Sequence, residues 1–292
     1  QMQHPVERPE LIQQALTDLD EEIATMPKKQ RASWERAKKT CAPELVDDGH
    51  KLMFLRCEVF NIKMAASRLV KYWDKRIELY GEKKAFLPLT LNKDGASRDD
   101  TLPLEMGVIG PGGIDKAGRC ILVADPTKIK RRKYDRSTMV RAIWYVVHAM
   151  LLDAATATAN DDKDGSKEAA VAVQQKGIVL LTIGVGAKFW QFDSRQEKEN
   201  IDSLREFLPL RMAAIHFCHP PGFFHLVLPI IKMLAGPILG KVIYLQSGSF
   251  DDVLRVLEED YGIPKEYIPV ALGGGFSFDQ IKWLEERQNA GL

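Results

Sequence analysis

Four potential metal ligands crowd one short stretch, His216, Cys218, His219 and His225. Imidazole nitrogens and a thiolate bind zinc when three or four of them converge on one point. Along an extended strand, however, His216 and Cys218 share one face and His219 takes the other. No His-Glu pair at helical spacing and no nearby acid completes the set. Polar residues at a strand end are the expected reading, and no metal is expected. Gly184-Val-Gly186-Ala-Lys188 follows an apolar run, as a phosphate loop would. It lacks the third glycine of the dinucleotide fingerprint and the Gly-Lys-Ser/Thr ending of a P-loop, so a tight turn is expected. Gly110-Pro-Gly-Gly113 reads as a loop. No Gly-x-Ser-x-Gly elbow occurs, and no serine or cysteine has an evident base. Asp115 and Arg119 bracket a turn into a strand and read as structural. Asp193, Glu197 and Glu199 read as an acidic surface rather than an acid–base pair. No catalytic residue is assigned, and the chain is not expected to be an enzyme.

The remaining chemistry is apolar. Arg211-Met-Ala-Ala-Ile215-His-Phe217-Cys has the length and composition of a buried strand. His219-Pro220-Pro221-Gly222 breaks the chain, and Phe223-Phe-His-Leu-Val-Leu-Pro-Ile-Ile-Lys232-Met-Leu234 follows, oily on nearly every face. A core helix would read this way. So would a lid over an apolar pocket, and the breaks at Pro220-Pro221-Gly222 and Gly236-Pro237 favour the lid, because they free both ends to move. Each large side chain exposed on opening costs roughly 1.5–3 kcal/mol in water, a cost that a membrane surface removes. The run holds Pro229 and Lys232 and is short for a bilayer span.

These elements need a scaffold, and the composition permits one. Of 292 residues 45% are hydrophobic and 28% charged, ample for a large core. With 41 basic and 40 acidic residues the net charge is +1, which argues against bulk nucleic-acid binding. Cys41, Cys57, Cys120 and Cys218 are scattered without paired spacing and fit a reducing compartment. No signal-sequence pattern opens the chain. A cytoplasmic protein peripheral to membranes is expected, a monomer by default.

Residues 8–84 read as a helical lobe: Pro9 stands at a first helical turn, and Asn61 caps a helix over Ile62–Tyr80 with Ala65, Leu69, Tyr72, Trp73 and Ile77 on one stripe. Pro, Gly and Asp are dense from Leu87 to Asp115, which reads as a linker. A second domain over 100–275 then alternates strand and helix: Cys120–Ala124, Ser137–Ala157, Gly177–Gly184, Asn200–Leu208 as a helix, the strand at Ile215, and a short strand from Lys241. Asn160–Gly165 reads as a turn before an Ala-rich helix. A helix over 276–292 closes the chain.

The order of these motifs resembles the CRAL-TRIO lipid-transfer family, in particular the branch that carries tocopherol and retinaldehyde and, more distantly, the yeast phosphatidylinositol transfer protein. Phe54-Leu55-Arg56, Phe60-Asn-Ile and Ala65-Ala-Ser-Arg68-Leu are similar to the family's N-terminal lobe. Asp115-Lys-Ala-Gly118-Arg119, Leu208-Pro209-Leu-Arg211, Ala214-Ile215-His216-Phe217, Lys232 and Leu272-Gly273-Gly274 are similar to later positions. The resemblance implies an α/β fold with a helical N-terminal lobe and a mixed sheet flanked by helices, the sheet flooring a hydrophobic pocket beneath a mobile gate helix. It implies binding and intermembrane transfer of a single lipid, phospholipid or isoprenoid-like, with no cofactor beyond that ligand. A lipid-regulated sensor or adaptor that carries no cargo is the alternative. By position the gate would be Phe223, Phe224, Val227, Ile230, Ile231 and Leu234. Leu180, Thr182, Ile215 and Phe217 would form the floor, and Trp144, Val147, His148 and Leu151 the wall, although a core role fits the strand residues as well. Arg68, Arg211, Lys232 and Lys241 lie at or near cationic family positions and would clamp a phosphoinositide headgroup. The branch that exchanges phosphatidylinositol has an acid where this chain has Leu210. Thr182-Ile183-Gly184-Val185-Gly186 replaces the family's Asp-x-x-Gly turn.

Overall fold

The computed structural model describes residues 4–157 and 165–292. The expected turn at Asn160–Gly165 lies almost wholly outside them. Four helices form the N-terminal lobe: α1 (Pro9–Thr25), α2 (Lys28–Thr40), α3 (Asp48–Cys57) and α4 (Ile62–Lys84). Asn61 caps α4, its side chain accepting from the Met64 amide at 3.2 Å. The buried stripe of α4, from Ala65 through Leu69, Tyr72 and Trp73, meets Leu16 and Leu19 of α1, Trp34 of α2 and Phe54 of α3 in one core. Trp34, His50, Phe54, Tyr72 and Trp73 pack ring on ring there, with centroids 5.1–6.3 Å apart.

A five-stranded mixed sheet makes up the second layer, in the order β1 (Ile109–Ile114), β2 (Cys120–Ala124), β3 (Ile178–Ile183), β4 (Met212–Cys218) and β5 (Ile243–Gln246). β1 runs antiparallel to β2, and the other neighbours are parallel. The parallel pairs require crossovers. α6 (Arg136–Ala157) and α7 (Gly165–Lys176) link β2 to β3, α8 (Ser194–Asp202) links β3 to β4, and α9 (Phe224–Leu239) links β4 to β5. Between the lobes a short α5 (Leu102–Glu105) packs on α6. Past the sheet come α10 (Phe250–Arg255) and α11 (Gln280–Asn289).

β1 lies inside the expected linker. Its sequence, Ile-Gly-Pro-Gly-Gly-Ile, carries loop signals, yet an edge strand tolerates a proline. Its glycines answer a close approach: a Cβ on Gly113 would fall 2.0 Å from the Tyr267 ring. The rest of that stretch packs against the chain's end, where the Leu91 amide donates to the Leu292 carbonyl at 3.0 Å. β5 begins two residues later than expected, leaving Lys241 in the turn Gly240–Val242. α8 begins six residues earlier than the expected Asn200, because Asp193 caps it through the Arg195 and Gln196 amides at 3.0 and 3.2 Å.

Strand alternation sorts the sheet's two faces. Ile121, Val179, Leu181, Ala214 and Cys218 pack behind it against Val253, Leu257 and Leu272. His216 lies on the same back face, where its Nδ1 meets the Gln246 amide at 3.0 Å between Tyr244 and Tyr261. Asp115 organises the turn into β2, accepting from the Ala117 and Arg119 amides at 2.9 and 2.8 Å and pairing with the Arg119 guanidinium at 2.5 Å. The Gly184–Lys188 segment is a tight turn closed by the Ala187 amide on the Gly184 carbonyl at 3.1 Å.

Candidate binding cavity

The front face of the sheet is left to a cavity of about 520 Å³. Leu122 and Ala124 of β2, Leu180 and Thr182 of β3, and Ile215 and Phe217 of β4 form its floor. The register Leu122↔Leu180↔Ile215 sets these side chains in a row. One wall is the N-terminal part of α6, with Met139 and Ile143 inward, and the other is α8 with Ile201. α9 is the roof.

α9 forms after Pro220-Pro221, since neither proline can continue β4 in the ladder. Its buried stripe, Val227, Ile231, Ala235 and Leu239, repeats every fourth residue and faces the cavity. Phe223 and Phe224 border the cavity at the helix start, Phe224 against Phe217 with ring centroids 4.8 Å apart and Phe223 against Phe189 at 5.5 Å. Ile230 lies on the flank of the helix, about 100° from Ile231, and does not border the cavity. Leu234 packs beside the stripe, and its carbonyl accepts from Arg205 Nη1 at 3.0 Å.

The segment Phe224–Val242, α9 with the turn after it, is long and apolar enough, by length and composition, to cross a membrane. It is not straight: Gly236 takes φ 72° and ψ −177°, which ends the regular turns. The straight part, residues 224–235, is about 18 Å long against a hydrocarbon core of about 30 Å. Opposite the buried stripe Leu226 and Met233 are 58% and 73% exposed, and Ile238, past the Gly236 break, is 84% exposed. Phe189 and Trp190, in the turn beside Phe223, are also exposed.

The expected wall of Trp144, Val147, His148 and Leu151 lies elsewhere. These residues are buried in the core shared with the N-terminal lobe. Trp144 stacks on Tyr72 with centroids 5.1 Å apart, and the Tyr72 hydroxyl meets His148 Nε2 at 3.0 Å. Burial, with Arg76 adding to it, pushes the His148 imidazole down to about 3. Over residues 139–151 α6 is buried on almost every side and mostly apolar, so its sequence does not mark which stripe meets the cavity. That stripe is Arg136, Met139 and Ile143.

The four expected phosphate-binding cations are divided. Arg68 pairs with Glu58 at 2.5 Å and donates to the Leu208 and Arg205 carbonyls at 2.9 and 2.6 Å. Arg211 Nη1 donates to His4 Nε2 at 2.7 Å. Both arginines bear on the buried Cys57 thiol, which burial pushes up to about 12 against their charge. Lys232 and Lys241 stand exposed on α9 and the turn after it.

One end of the cavity is polar. Gln196, Glu197 and Asn200 of α8 line it, with Tyr134, Arg131 and Arg136 from the segment before and at the start of α6. Asp193 pairs with Arg136 at 2.9 Å and with Arg131 at 3.6 Å, so it is a cap and ion-pair partner. Glu197, expected on an acidic surface, instead faces the cavity, and burial pushes its carboxyl up to about 7, Asp193 adding to the rise. The spacing Gln196, Glu197, Asn200, Ile201, Leu204 was the available signal for this wall, masked by the charge around it.

A mixed sheet with its crossover helices enclosing a mostly apolar cavity, tipped with a few polar groups, is an α/β architecture of the kind that small apolar ligands occupy. The chain belongs to the family described as the CRAL/TRIO domain, whose model matches residues 104–274. Among curated proteins it is similar to clavesin-2 of Mus musculus, 23% identical over 227 residues that make up 76% of this chain and 61% of the relative. Clavesin-2 of Homo sapiens matches at the same identity and coverage. The chain thus spans about six-tenths of the length of these relatives. The crystal structure of Sfh5 superposes with a TM-score of 0.55 at 14% identity, covering 95% of this chain and 92% of that one, which shows the same fold.

Proposed function

We propose that the protein takes one lipid molecule into the cavity and moves it between membranes, with α9 as the gate. The observation that carries this reading is that α9 is apolar on both sides. Its inner stripe roofs the cavity, and its outer residues Leu226, Met233 and Ile238 lie open to solvent. An outer face of this kind is unfavourable in water and favourable at a lipid surface. The breaks at Pro220-Pro221-Gly222 and Gly236 bound the moving part. A volume of about 520 Å³ lies within the ~300–1,000 Å³ of drug-sized ligand sites, which favours an isoprenoid or single-chain lipid as cargo.

Membrane contact is assigned to the outer face of α9 with Phe189 and Trp190. Guidance by anionic lipids, phosphoinositides included, is assigned to Lys232 and Lys241, and to the exposed cations Lys128, Lys130, Arg131, Arg132 and Lys133. Each such cation contributes about 1 kcal/mol near an anionic surface. Arg68 and Arg211 are already engaged by protein groups.

Transfer of a fluorescent lipid between vesicle populations tests the proposal. The double substitution Leu226→Asp and Met233→Asp is expected to lower transfer at least tenfold while lipid uptake in solution persists. Unchanged transfer would remove α9 as the membrane face. Vesicle binding without any transfer would favour a sensor.

A further inference from the structure

The floor and roof of the cavity are apolar, but the α8 wall is not, and its polar groups are arranged among themselves. Gln196 Nε2 donates to Asn200 Oδ1 at 2.9 Å, and Asn200 lies near enough to the Glu197 carboxyl to favour its charged form, against the burial that raises it. Tyr134 lines the same cavity, and its buried hydroxyl has no hydrogen-bond partner among the described residues. Glu197 is half-buried, and a carboxyl facing a mostly apolar cavity with little access to water is costly to ionise unless something else uses it. The charged groups facing this end are Arg131, Asp135, Arg136, Lys188 and Asp193. Arg136 and Arg131 are turned to Asp193 rather than to Glu197.

We infer that the α8 wall is a headgroup site for a lipid whose polar end is uncharged, a hydroxyl or carbonyl oxygen, held by Glu197 and Asn200 with the Tyr134 hydroxyl of the same cavity as a further partner. This rests on the cavity being the lipid site. A protonated carboxyl can donate to such an oxygen and accept from a hydroxyl, and the asparagine amide supplies the complementary partner. An anionic headgroup would sit against the Glu197 and Asp193 oxygens, and a cationic one against Arg131 and Arg136. The remainder of the ligand would extend along Leu180, Ile215 and Ile231 beneath α9.

Displacement of an apolar fluorescent reporter from the full chain provides the test, with hexadecanol, hexadecane, palmitate and hexadecylamine as probes at neutral pH. The alcohol is expected to bind roughly ten- to a hundredfold more tightly than the alkane, since the alkane leaves the buried polar groups unpaired. Glu197→Leu should bring alcohol and alkane together while keeping alkane binding. Glu197→Gln, which keeps a donor and an acceptor, should retain the preference and shows that a loss in the leucine variant is not misfolding. Equal binding of alcohol and alkane to the wild type, or a preference for palmitate or hexadecylamine, overturns the headgroup assignment and leaves the cavity reading intact. Failure of all four probes to displace the reporter overturns the cavity reading and the headgroup site with it.

Discussion

A carboxyl facing an apolar ligand space holds its proton to higher pH than a solvated one, because ionising it there forfeits hydration. Glu197 is such a group, its value about 7 in the fold against an ordinary 4.5. Between those values the folded chain holds a proton that the unfolded chain has released. The contribution to stability is therefore full below pH 4.5 and is lost as pH rises through about 7. Glu197→Gln should leave stability unchanged near pH 4.5 and raise it by about 1–3 kcal/mol near pH 8, read from urea midpoints. An equal effect at both pH values would mean the carboxyl is solvated. Tyr72→Phe should cost about 1–2 kcal/mol by leaving His148 without its partner, with little effect on ligand uptake. Neither role was legible in the sequence. Glu197 stands among charges that read as surface, and His148 on a mostly apolar stretch of helix. Which stripe of such a helix meets a cavity is settled by the elements packed on it.

At the level of elements, α9 was legible because its breaks are spelled out: two prolines and a glycine before it, a glycine and a proline near its end. The second break is conformational. Gly236 has φ 72° and ψ −177°, a region nearly closed to other residues, although only Arg205 lies near its missing Cβ, at 3.5 Å. Gly236→Ala should therefore destabilise by about 1–3 kcal/mol through backbone strain alone. If Gly236 is a hinge, the same variant should also slow lipid exchange. A variant as stable as the wild type would show that the break tolerates a side chain. β1 was illegible for the opposite reason. Its Gly-Pro-Gly-Gly carries every signal of a loop, and it is pairing with β2 that makes it a strand, the Tyr267 ring leaving no room for a side chain at Gly113.

Across the whole molecule, the N-terminal lobe and the sheet share one core through α6, and the segment before α1 ties them further. Glu7 pairs with Arg56 of α3 at 2.8 Å and accepts from Gln175 of α7 at 2.6 Å. The order of strand, helix and lobe was legible because it follows from apolar periodicity, whereas the position of the cavity wall depends on how α6 and α8 roll over the sheet. Buried histidines, His50 and His148 in this shared core and His216 on the back face of the sheet, make the fold acid-sensitive. Burial foremost, with nearby positive charge, holds His50 well below its ordinary 6.5, His148 at about 3 and His216 at about 4. The unfolded chain takes up these protons first, so the stability they confer is full above pH 6.5 and drains as pH falls below it. The loss is about 1.4 kcal/mol per pH unit for each histidine, opposed only in part by Glu197. Urea midpoints should fall steadily on going from about pH 7 to about pH 5.5, and a flat profile would mean that these imidazoles reach water. The central claim, one lipid in one cavity, is tested most directly by native and denaturing mass spectrometry of the protein after incubation with a whole-cell lipid extract. A single stoichiometric adduct that passes into organic solvent and proves to be an uncharged lipid is the predicted result. A bare protein, its mass unchanged by the extract, would contradict the account.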